Sequence, residues 1–372
     1  MSFDPIRLVR PEVRALTAYH AGPPPAAGAV KLDANESPFA LGELLRGALA
    51  DELAQALADV ALHRYPDAEG RELRQLLAKD LGVTPDCLLL ANGSDEAIQM
   101  LVMAVAGPGR AVLAPVPTFV VYELSARMQG LRFIGVPLGA GFLLDEAAIR
   151  AALARERPQL VFLAWPNNPT GRLYEEAAVA RILQACAGEL CDALVVVDEA
   201  YVAYSGRSFL PRLASHPNLV VFRTLSKIGL AGIRLGMIVA SPALIGEINK
   251  VRMPYNVNAL SQAAAQVVLR HADVVRRQAA LVVAERERLS AALRAMPGIE
   301  VTPSDANFFL LRTDRSGDEV ARGLLARGIL VRDFSTAPYL AGCLRITVGA
   351  PSENDLLLSA LADILGRGEA TS

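Results

Sequence analysis

The sequence predicts an α/β protein in which a large domain, built on a mostly parallel sheet with helices on both faces, precedes a smaller α+β domain. Between residues 88 and 240, short apolar runs alternate with amphipathic stretches. Runs that are apolar throughout are typical of parallel strands buried between two layers of helices. After a long helical pattern at 259–296, shorter strand and helix patterns alternate to the end of the chain. With 52% hydrophobic residues among 372, the chain has enough apolar side chains for two buried cores.

The N-terminal part differs in composition and regularity from the rest of the chain. Residues 1–40 are irregular and rich in proline, which indicates an arm that lies over the body of the protein rather than a folding unit. Helical patterns near 43–59 and 70–81 follow this arm. The stretch "HRYPDAEG" between them combines Pro, Asp and Gly, and therefore predicts a loop.

Five apolar runs predict the strands of the large sheet: "AVLAP" (111–115), "QLVFLAW" (159–165), "ALVVVDE" (193–199), "LVVFRTL" (219–225) and "GMIVA" (236–240). Helical patterns at 95–106, 119–129 and 174–187 lie between several of these strands. The last two strands are too close in sequence for a helix to connect them. One of the two is therefore predicted to be antiparallel to its neighbour.

The C-terminal part predicts mixed secondary structure. Its strands are "IEVTPS", "NFFLLR" and "LRITVG", and its helices lie at 317–327 and 352–366. We therefore predict three parts: the arm at 1–40, the large domain at 41–258 and the small α+β domain at 259–372. An alternative for the boundary is that the first helices of the large domain pack with the small one.

Composition argues against several classes of protein. A formal net charge of −2 does not favour a nucleic acid or an anionic membrane as the main partner. No apolar run approaches the roughly 20 residues that span a bilayer, and the N-terminus lacks the apolar stretch of a secretory signal. The four cysteines have no spacing typical of a metal site. We expect a cytoplasmic protein with reduced thiols and no metal ion.

Lys227 is the first candidate for chemistry. Only four of the 37 basic residues are lysines, so arginine carries nearly all of the positive charge. Arginine stays protonated in proteins, whereas lysine can lose its proton and act as a nucleophile. Lys227 lies between the apolar run "LVVFRTL" and the turn "GLAG", where a solvated surface charge is not expected.

Polar residues follow the other predicted strands. Asp198 ends "LVVVD", where a carboxylate needs a cation or a donor, and Tyr201 comes three residues later. An aspartate that merely caps the next turn is the alternative. Asn168 lies in "PNNPTG", which could place an amide at the same edge or simply form a tight turn. Ligands of open α/β sheets bind at this carboxyl edge.

The stretch "ANGSDEAI" offers a site for an anion. Gly93 and Ser94 precede a strong helical pattern, and a helix start with free N–H groups favours a phosphate. Any well-capped helix looks similar, so the signal is weak by itself. Arg234, seven residues after Lys227, supplies a fixed cation. An amine nucleophile, a carboxylate, a phenol, an amide and a phosphate site together fit pyridoxal 5′-phosphate.

Seven motifs then identify a family: "LDANESP", "RYPD", "GSDEAI", "PNNPTG", "DEAY", "TLSK…GLAGIR" and "GCLRITVG" occur in this order over nearly the whole chain. In these motifs the chain resembles the pyridoxal-phosphate aminotransferases of fold type I. Within them it is most similar to the histidinol-phosphate aminotransferase family.

The resemblance implies roles for four residues at the cofactor ring. Lys227 would bind the cofactor covalently and then move the proton between the substrate Cα and the cofactor C4′. Asp198 would keep the pyridine nitrogen protonated, while Tyr201 and Asn168 would hydrogen-bond the ring oxygen. Phe119, in "VPTFVVYE", would stack on the ring; the family often has tyrosine there, so this chain lacks that hydroxyl.

The resemblance also implies the residues that hold the phosphate group. They are Gly93, Ser94, Asp95 through its backbone, Thr224, Ser226 and Arg234. Tyr65, in "RYPD", would reach the phosphate from a second subunit, so that the active enzyme would be a homodimer.

For the substrate, the resemblance points to two arginines. Arg345 and Arg332 would bind the anionic groups of histidinol phosphate and of the amino acceptor, 2-oxoglutarate, by bidentate contacts. Without the resemblance, a surface ion pair is the favoured interpretation of either arginine. Asn168 would contact the substrate, and Tyr19, in the arm, would line the pocket of the partner subunit.

The implied function is transamination between L-histidinol phosphate and 2-oxoglutarate in histidine biosynthesis. An aromatic amino-acid aminotransferase and a threonine-phosphate decarboxylase are alternatives, because both would use the same cofactor site. A DNA-binding regulator with an aminotransferase-like domain is disfavoured, because only about 40 residues precede the first predicted helix.

Overall fold

Two β-sheets form the framework of the computed structural model, which describes residues 4–17, 28–40 and 48–366. The strands of these residues are β1 (Val30–Leu32), β2 (Leu88–Asn92), β3 (Ala111–Val116), β4 (Arg132–Pro137), β5 (Leu160–Ala164), β6 (Leu194–Asp198), β7 (Leu219–Thr224), β8 (Leu235–Val239), β9 (Ile299–Val301), β10 (Phe308–Thr313), β11 (Ile329–Asp333) and β12 (Cys343–Thr347).

The α-helices of the same residues are α1 (Pro11–Arg14), α2 (Ala48–Ala58), α3 (Arg71–Leu81), α4 (Gly93–Val105), α5 (Val121–Met128), α6 (Glu146–Glu156), α7 (Glu176–Ala185), α8 (Val202–Ser205), α9 (Pro242–Ile248), α10 (Ala259–Arg270), α11 (Ala272–Arg294), α12 (Gly317–Leu325) and α13 (Pro351–Gly366). None of the helices described is both long and apolar enough to cross a membrane.

The larger sheet has seven strands in the order β2-β8-β7-β6-β5-β3-β4. Strands β4, β3, β5, β6 and β7 are parallel to one another. Strand β8 runs antiparallel to both neighbours, β2 and β7. The predicted antiparallel strand is therefore confirmed. This topology brings the carboxyl ends of β2, β5, β6 and β7 and the amino end of β8 to one edge.

Helices cover both faces of this sheet, as predicted. Successive strand residues point to opposite faces, so Val161 packs with the core on one side and Phe162 with the core on the other. Helices α3, α6 and α7 cover the first face, and α4 and α5 cover the second. All five residues of β5 are buried, which explains the continuous apolar run.

The smaller sheet has five strands in the order β1-β11-β12-β10-β9. Its first strand comes from the end of the predicted arm, since Val30–Leu32 pairs in parallel with residues 329–331. The C-terminal strands and helices form the second core, which supports the predicted α+β character of this part. The boundaries at 40 and 258 stay predictions.

One helix and several strands differ from the sequence predictions. The single helix predicted at 259–296 is two helices, because His271 leaves the helical conformation at φ −117° and ψ 34°. Its ring lies 2.8 Å from the Glu52 carboxylate instead. Strands β1, β2, β4 and β11 were not predicted, although β11 carries Arg332. Strand β4 is at the edge of the sheet and partly exposed, so its apolar pattern is weak.

Candidate active site

The site lies at the shared edge of the seven-stranded sheet. Five of its residues lie at a strand end or within four positions of one: Gly93 after β2, Asn168 after β5, Asp198 at the end of β6, Lys227 after β7 and Arg234 before β8. Parallel strands end at one edge of a sheet, which explains why residues far apart in sequence come together.

Lys227 is held in a turn rather than on a regular helix. The turn spans Ser226–Leu230 and includes Gly229 at φ +93°, a conformation that favours glycine. The Tyr204 hydroxyl donates to the carbonyl of Lys227 and ties this turn to helix α8. Lys227 Nζ lies 3.4 Å from the Ala34 carbonyl oxygen and 5.9 Å from the centre of the Tyr201 ring. The amine therefore points toward segment 33–36 and Tyr201.

Asp198 is 5% exposed and has two donors. The Tyr122 hydroxyl donates to Oδ2 at 2.6 Å, and the backbone N–H of Ala200 donates to Oδ1 at 3.1 Å. Burial raises the pKa of Asp198 above its usual value, while these two hydrogen bonds oppose the rise. A cation placed beside this carboxylate would keep it ionised.

Tyr122 is the main residue of the site that was not predicted. Its side chain is fully buried, stacks on Phe162 with ring centres 4.4 Å apart, and meets Phe119 edge-on at 5.6 Å. Burial, and then the charge of Asp198, raise the pKa of its phenol well above the usual value. Its position three residues after Phe119, on the buried face of α5, is the signal that could have found it.

The start of helix α4 forms a cradle for an anion. Gly93 has φ +79°, and a Cβ on it would lie 2.6 Å from Arg234 Nη2. A Cβ on Gly236 would lie 2.6 Å from the backbone N of Ser94. The Asn92 side chain makes no capping hydrogen bond to the helix. Backbone N–H groups and a guanidinium therefore come close together, an approach that a side chain at either glycine would block.

Three further predicted phosphate ligands lie around this cradle. Arg234 is in the left-handed region at φ +53°, and its Nη2 lies 3.2 Å from Asp95 Oδ2. The Thr224 hydroxyl lies 3.1 Å from the Leu235 carbonyl oxygen and 3.0 Å from Ser226 Oγ. Thr224 thus fixes the turn before Lys227.

The two asparagines of "PNNPTG" have different partners. Asn167 is buried and donates to the Pro117 carbonyl at 3.0 Å and to Thr170 Oγ1 at 2.9 Å, so it holds the turn itself. Asn168 Oδ1 accepts a hydrogen bond from Arg345 Nη1 at 2.6 Å. Only Asn168 therefore faces the site.

Two arginines of the smaller sheet lie opposite each other. Arg332 of β11 and Arg345 of β12 are direct partners in an antiparallel pair, so both side chains are on the same face. Both guanidinium groups lie over the Phe334 ring, at 6.0 and 5.7 Å. Arg345 is 8% exposed, and its Nη2 donates to the Asp33 carbonyl at 2.6 Å. Two neighbouring cations on one face are suited to a substrate with anionic groups.

The remaining predicted site residues are not all in this group. Phe119 is half-buried beside Tyr122. Tyr65 is 80% exposed and stacks on Tyr255, with ring centres 4.5 Å apart. Tyr19 lies outside the described residues.

A buried ion pair lies next to the site. Glu199 is fully buried and lies 2.7 Å from Arg223 Nε, and it also accepts the backbone N–H of Phe209 at 2.5 Å. Burial raises the pKa of Glu199, and the Arg223 charge opposes the rise. The pair joins the ends of β6 and β7, which carry Asp198 and lead to Lys227.

The donor set fits a pyridoxal phosphate. An amine, a buried carboxylate, a phenol and an amide surround one space, and the glycine-lined cradle with Arg234 suits a dianionic group.

Comparisons with known proteins support pyridoxal phosphate as the cofactor. The family model described as aminotransferase class I and II matches residues 27–361. A histidinol-phosphate aminotransferase 1 of Ralstonia nicotianae is 49% identical over 361 residues, which cover 96% of this chain and 94% of the relative. A histidinol-phosphate aminotransferase from Sinorhizobium meliloti, solved in complex with pyridoxal-5′-phosphate, has a TM-score of 0.83 to this chain at 26% identity, covering 96% of this chain and 98% of that one. An L-threonine-O-3-phosphate decarboxylase from Porphyromonas gingivalis has a TM-score of 0.78 at 27% identity, covering 91% and 99%.

Proposed function

The chain belongs to the class I and class II aminotransferases, and on that premise we propose that it transfers the amino group of L-histidinol phosphate to 2-oxoglutarate. The products are 3-(imidazol-4-yl)-2-oxopropyl phosphate and L-glutamate, and the reaction is a step of histidine biosynthesis. Its cofactor is pyridoxal 5′-phosphate. The observation that carries the choice of substrate is the pair of facing arginines, Arg332 and Arg345.

The cofactor would be held at three places. Lys227 would bind it covalently, and Asp198, kept in position by Tyr122, would hold its pyridine nitrogen. Tyr201 and Asn168 would hydrogen-bond the ring oxygen, with Phe119 against the ring. The helix start at Gly93, Ser94 and Asp95, together with Ser226, Arg234 and Thr224, would bind the phosphate.

Lys227 does the proton chemistry in this proposal. When bound, pyridoxal phosphate supplies a conjugated ring that accepts the electron pair left at the substrate Cα. The Lys227 amine would remove the proton from that carbon and deliver it to the cofactor C4′, and it would move a proton in the opposite direction when 2-oxoglutarate reacts. Asp198 favours this step because a buried carboxylate keeps a positive charge on the ring nitrogen.

The arginines bind and orient the two substrates. Histidinol phosphate carries a phosphate and no α-carboxylate, whereas 2-oxoglutarate carries two carboxylates. The planar guanidinium forms bidentate contacts with either kind of anion. Two such groups on one face can therefore serve both halves of the reaction.

We also propose a homodimer in which Tyr65 completes the site of the partner. The exposed stack of Tyr65 on Tyr255 supports a contact with a second chain, because large exposed aromatic groups are typical of interfaces. Mixing Lys227→Ala with Tyr65→Ala tests this proposal. A mixed dimer would contain one site with both native residues, so activity should rise above that of either variant. If Tyr65 acted within its own chain, mixing would restore nothing. Cytoplasmic localisation stays a prediction.

Substrate choice is tested by measuring amino transfer to 2-oxoglutarate with histidinol phosphate, phenylalanine and threonine phosphate, while carbon dioxide is followed in parallel. We expect kcat/KM for histidinol phosphate to exceed that for phenylalanine by about 100-fold, or about 2.7 kcal/mol. Comparable rates would identify an aromatic aminotransferase. Release of carbon dioxide from threonine phosphate would identify a decarboxylase.

A further inference from the structure

Asn35 is a buried residue, 1% exposed, whose four polar groups all have partners. Its Nδ2 donates to Tyr201 Oη at 3.0 Å. Its backbone N–H donates to Thr347 Oγ1 at 2.9 Å, and its Oδ1 lies 3.2 Å from the same hydroxyl. Its carbonyl accepts from Asn307 Nδ2 at 3.1 Å. Asn35 has φ +55°, a conformation that asparagine adopts more readily than most residues. These bonds fix one orientation of the residue.

The Thr347 hydroxyl determines which way round the Asn35 amide lies. That hydroxyl accepts the backbone N–H of Asn35, so its own single hydrogen is available for Asn35 Oδ1. The amide nitrogen is then directed at Tyr201, and it can only donate. Tyr201 Oη accepts this bond, which leaves the hydrogen of the phenol for a different partner.

We propose that Asn35 is a positioning residue for transamination, because it occupies Tyr201 as an acceptor and so leaves the Tyr201 hydrogen for the ring oxygen of the cofactor. The inference rests on the proposed function, in which Tyr201 contacts that oxygen. A phenol has one hydrogen, so an acceptor in the place of Asn35 would draw it away from the cofactor. The ring oxygen would then hold its negative charge less well, and the linkage at Lys227 would bind its proton more tightly.

Several other charged and titratable groups lie near Tyr201 and are present in every variant of Asn35. They are Lys227 over its ring, Asp198, Tyr122 and Tyr204 in the same buried region, and Arg345 on the far side of Phe308. On the segment that carries Asn35, Lys31 pairs with Asp33 at 3.1 Å and with Glu36 at 2.6 Å.

The test compares Asn35→Asp with Asn35→Gly by titrating the absorbance of the bound cofactor with pH. Aspartate keeps the shape but presents an acceptor, whereas glycine tolerates the positive φ and presents nothing. We expect the midpoint of the absorbance change to rise by about one pH unit in Asn35→Asp, a tenfold change in proton affinity. In Asn35→Gly we expect a clearly smaller shift. Equal shifts in the two variants would overturn the proposal.

A second comparison separates the direction of the hydrogen bond from the added charge. In a Tyr201→Phe background there is no phenol to redirect, so Asn35→Asp should cause little further shift. A shift of full size in that background would mean that charge alone acts, and the proposal would be wrong. Thr347→Val provides a variant without new charge; it frees the amide to turn and should raise the midpoint, though less than Asn35→Asp.

The outcome also distinguishes this inference from the proposed function. If the native protein mixed with pyridoxal phosphate shows no absorbance band that depends on Lys227, the proposed function fails. If the band is present but its midpoint is the same in native protein and Asn35→Asp, only the role of Asn35 fails.

Discussion

The two sheets contribute to the candidate site in different ways. The seven-stranded sheet contributes one edge, and the five-stranded sheet contributes the paired strands β11 and β12. In the large sheet, each functional group lies at a strand end or within a few residues of it, as Asp198 and Lys227 do. In the small sheet, Arg332 and Arg345 lie within strands and meet because the strands pair in that register. In the proposed site, strand ends of the large sheet would supply the groups that do the chemistry, while the register of two paired strands in the small sheet would supply the groups that recognise the substrate.

If this comparison holds, removal of the Lys227 amine should cause the largest loss of activity. Lys227→Ala should lower the rate of amino transfer by roughly 10⁴-fold or more, because no other group can move the proton. The absorbance of the covalently bound cofactor should also be lost after dialysis. Lys250→Ala is the matched control, since Lys250 is an exposed lysine paired with Glu247. A band that survives dialysis in Lys227→Ala would contradict the assignment.

Removal of the buried Asp198 carboxylate should cause the second largest loss of activity. Asp198→Ala should lower kcat by roughly 10³-fold with every amino donor, as expected when one preorganised electrostatic contact is lost. Cofactor affinity should fall as well, measured by fluorescence titration of the cofactor-free protein. Asp145→Ala, which removes an exposed carboxylate that caps α6, serves as control. Near-normal turnover in Asp198→Ala would refute its role.

An arginine of the small sheet should have a selective effect. Arg332→Ala should lower kcat/KM for histidinol phosphate by roughly 30-fold, the cost of losing one charged contact of about 2 kcal/mol. The loss with phenylalanine should be smaller, because phenylalanine has no phosphate. Arg312→Ala is the control from the same sheet, since Arg312 is half exposed on β10. Equal losses with both substrates would show that Arg332 does not distinguish the phosphate.

The smallest of these effects is expected at Tyr122. Tyr122→Phe keeps the ring that stacks on Phe162 and removes only the hydrogen bond to Asp198. Cofactor affinity should fall about tenfold, for a hydrogen bond to a charged group of about 1.5 kcal/mol. Thermal unfolding of the cofactor-free protein monitors the fold in parallel. Unchanged affinity would mean that Ala200 alone holds Asp198.

The edge of the large sheet was largely predictable because its signals are local. Apolar runs that end in Asp198 or lead to Lys227 mark strand ends, and the antiparallel β8 followed from a connection too short for a helix. Tyr122 was missed because a tyrosine on a helix looks the same whether it packs in a core or donates to a carboxylate. Likewise, nothing local distinguishes Asn167, which holds the turn, from Asn168, which faces Arg345.

By itself, the sequence determined the fold class and most strands of the large sheet, since apolar periodicity depends on near neighbours, and its motifs pointed through the family resemblance to the candidate site residues. The tertiary structure alone decided the contacts between distant segments. Asn35 meets Tyr201 and Thr347 across 166 and 312 positions. Such contacts depend on strand register and on the direction of single hydrogen bonds, and these are fixed only when both sheets have formed.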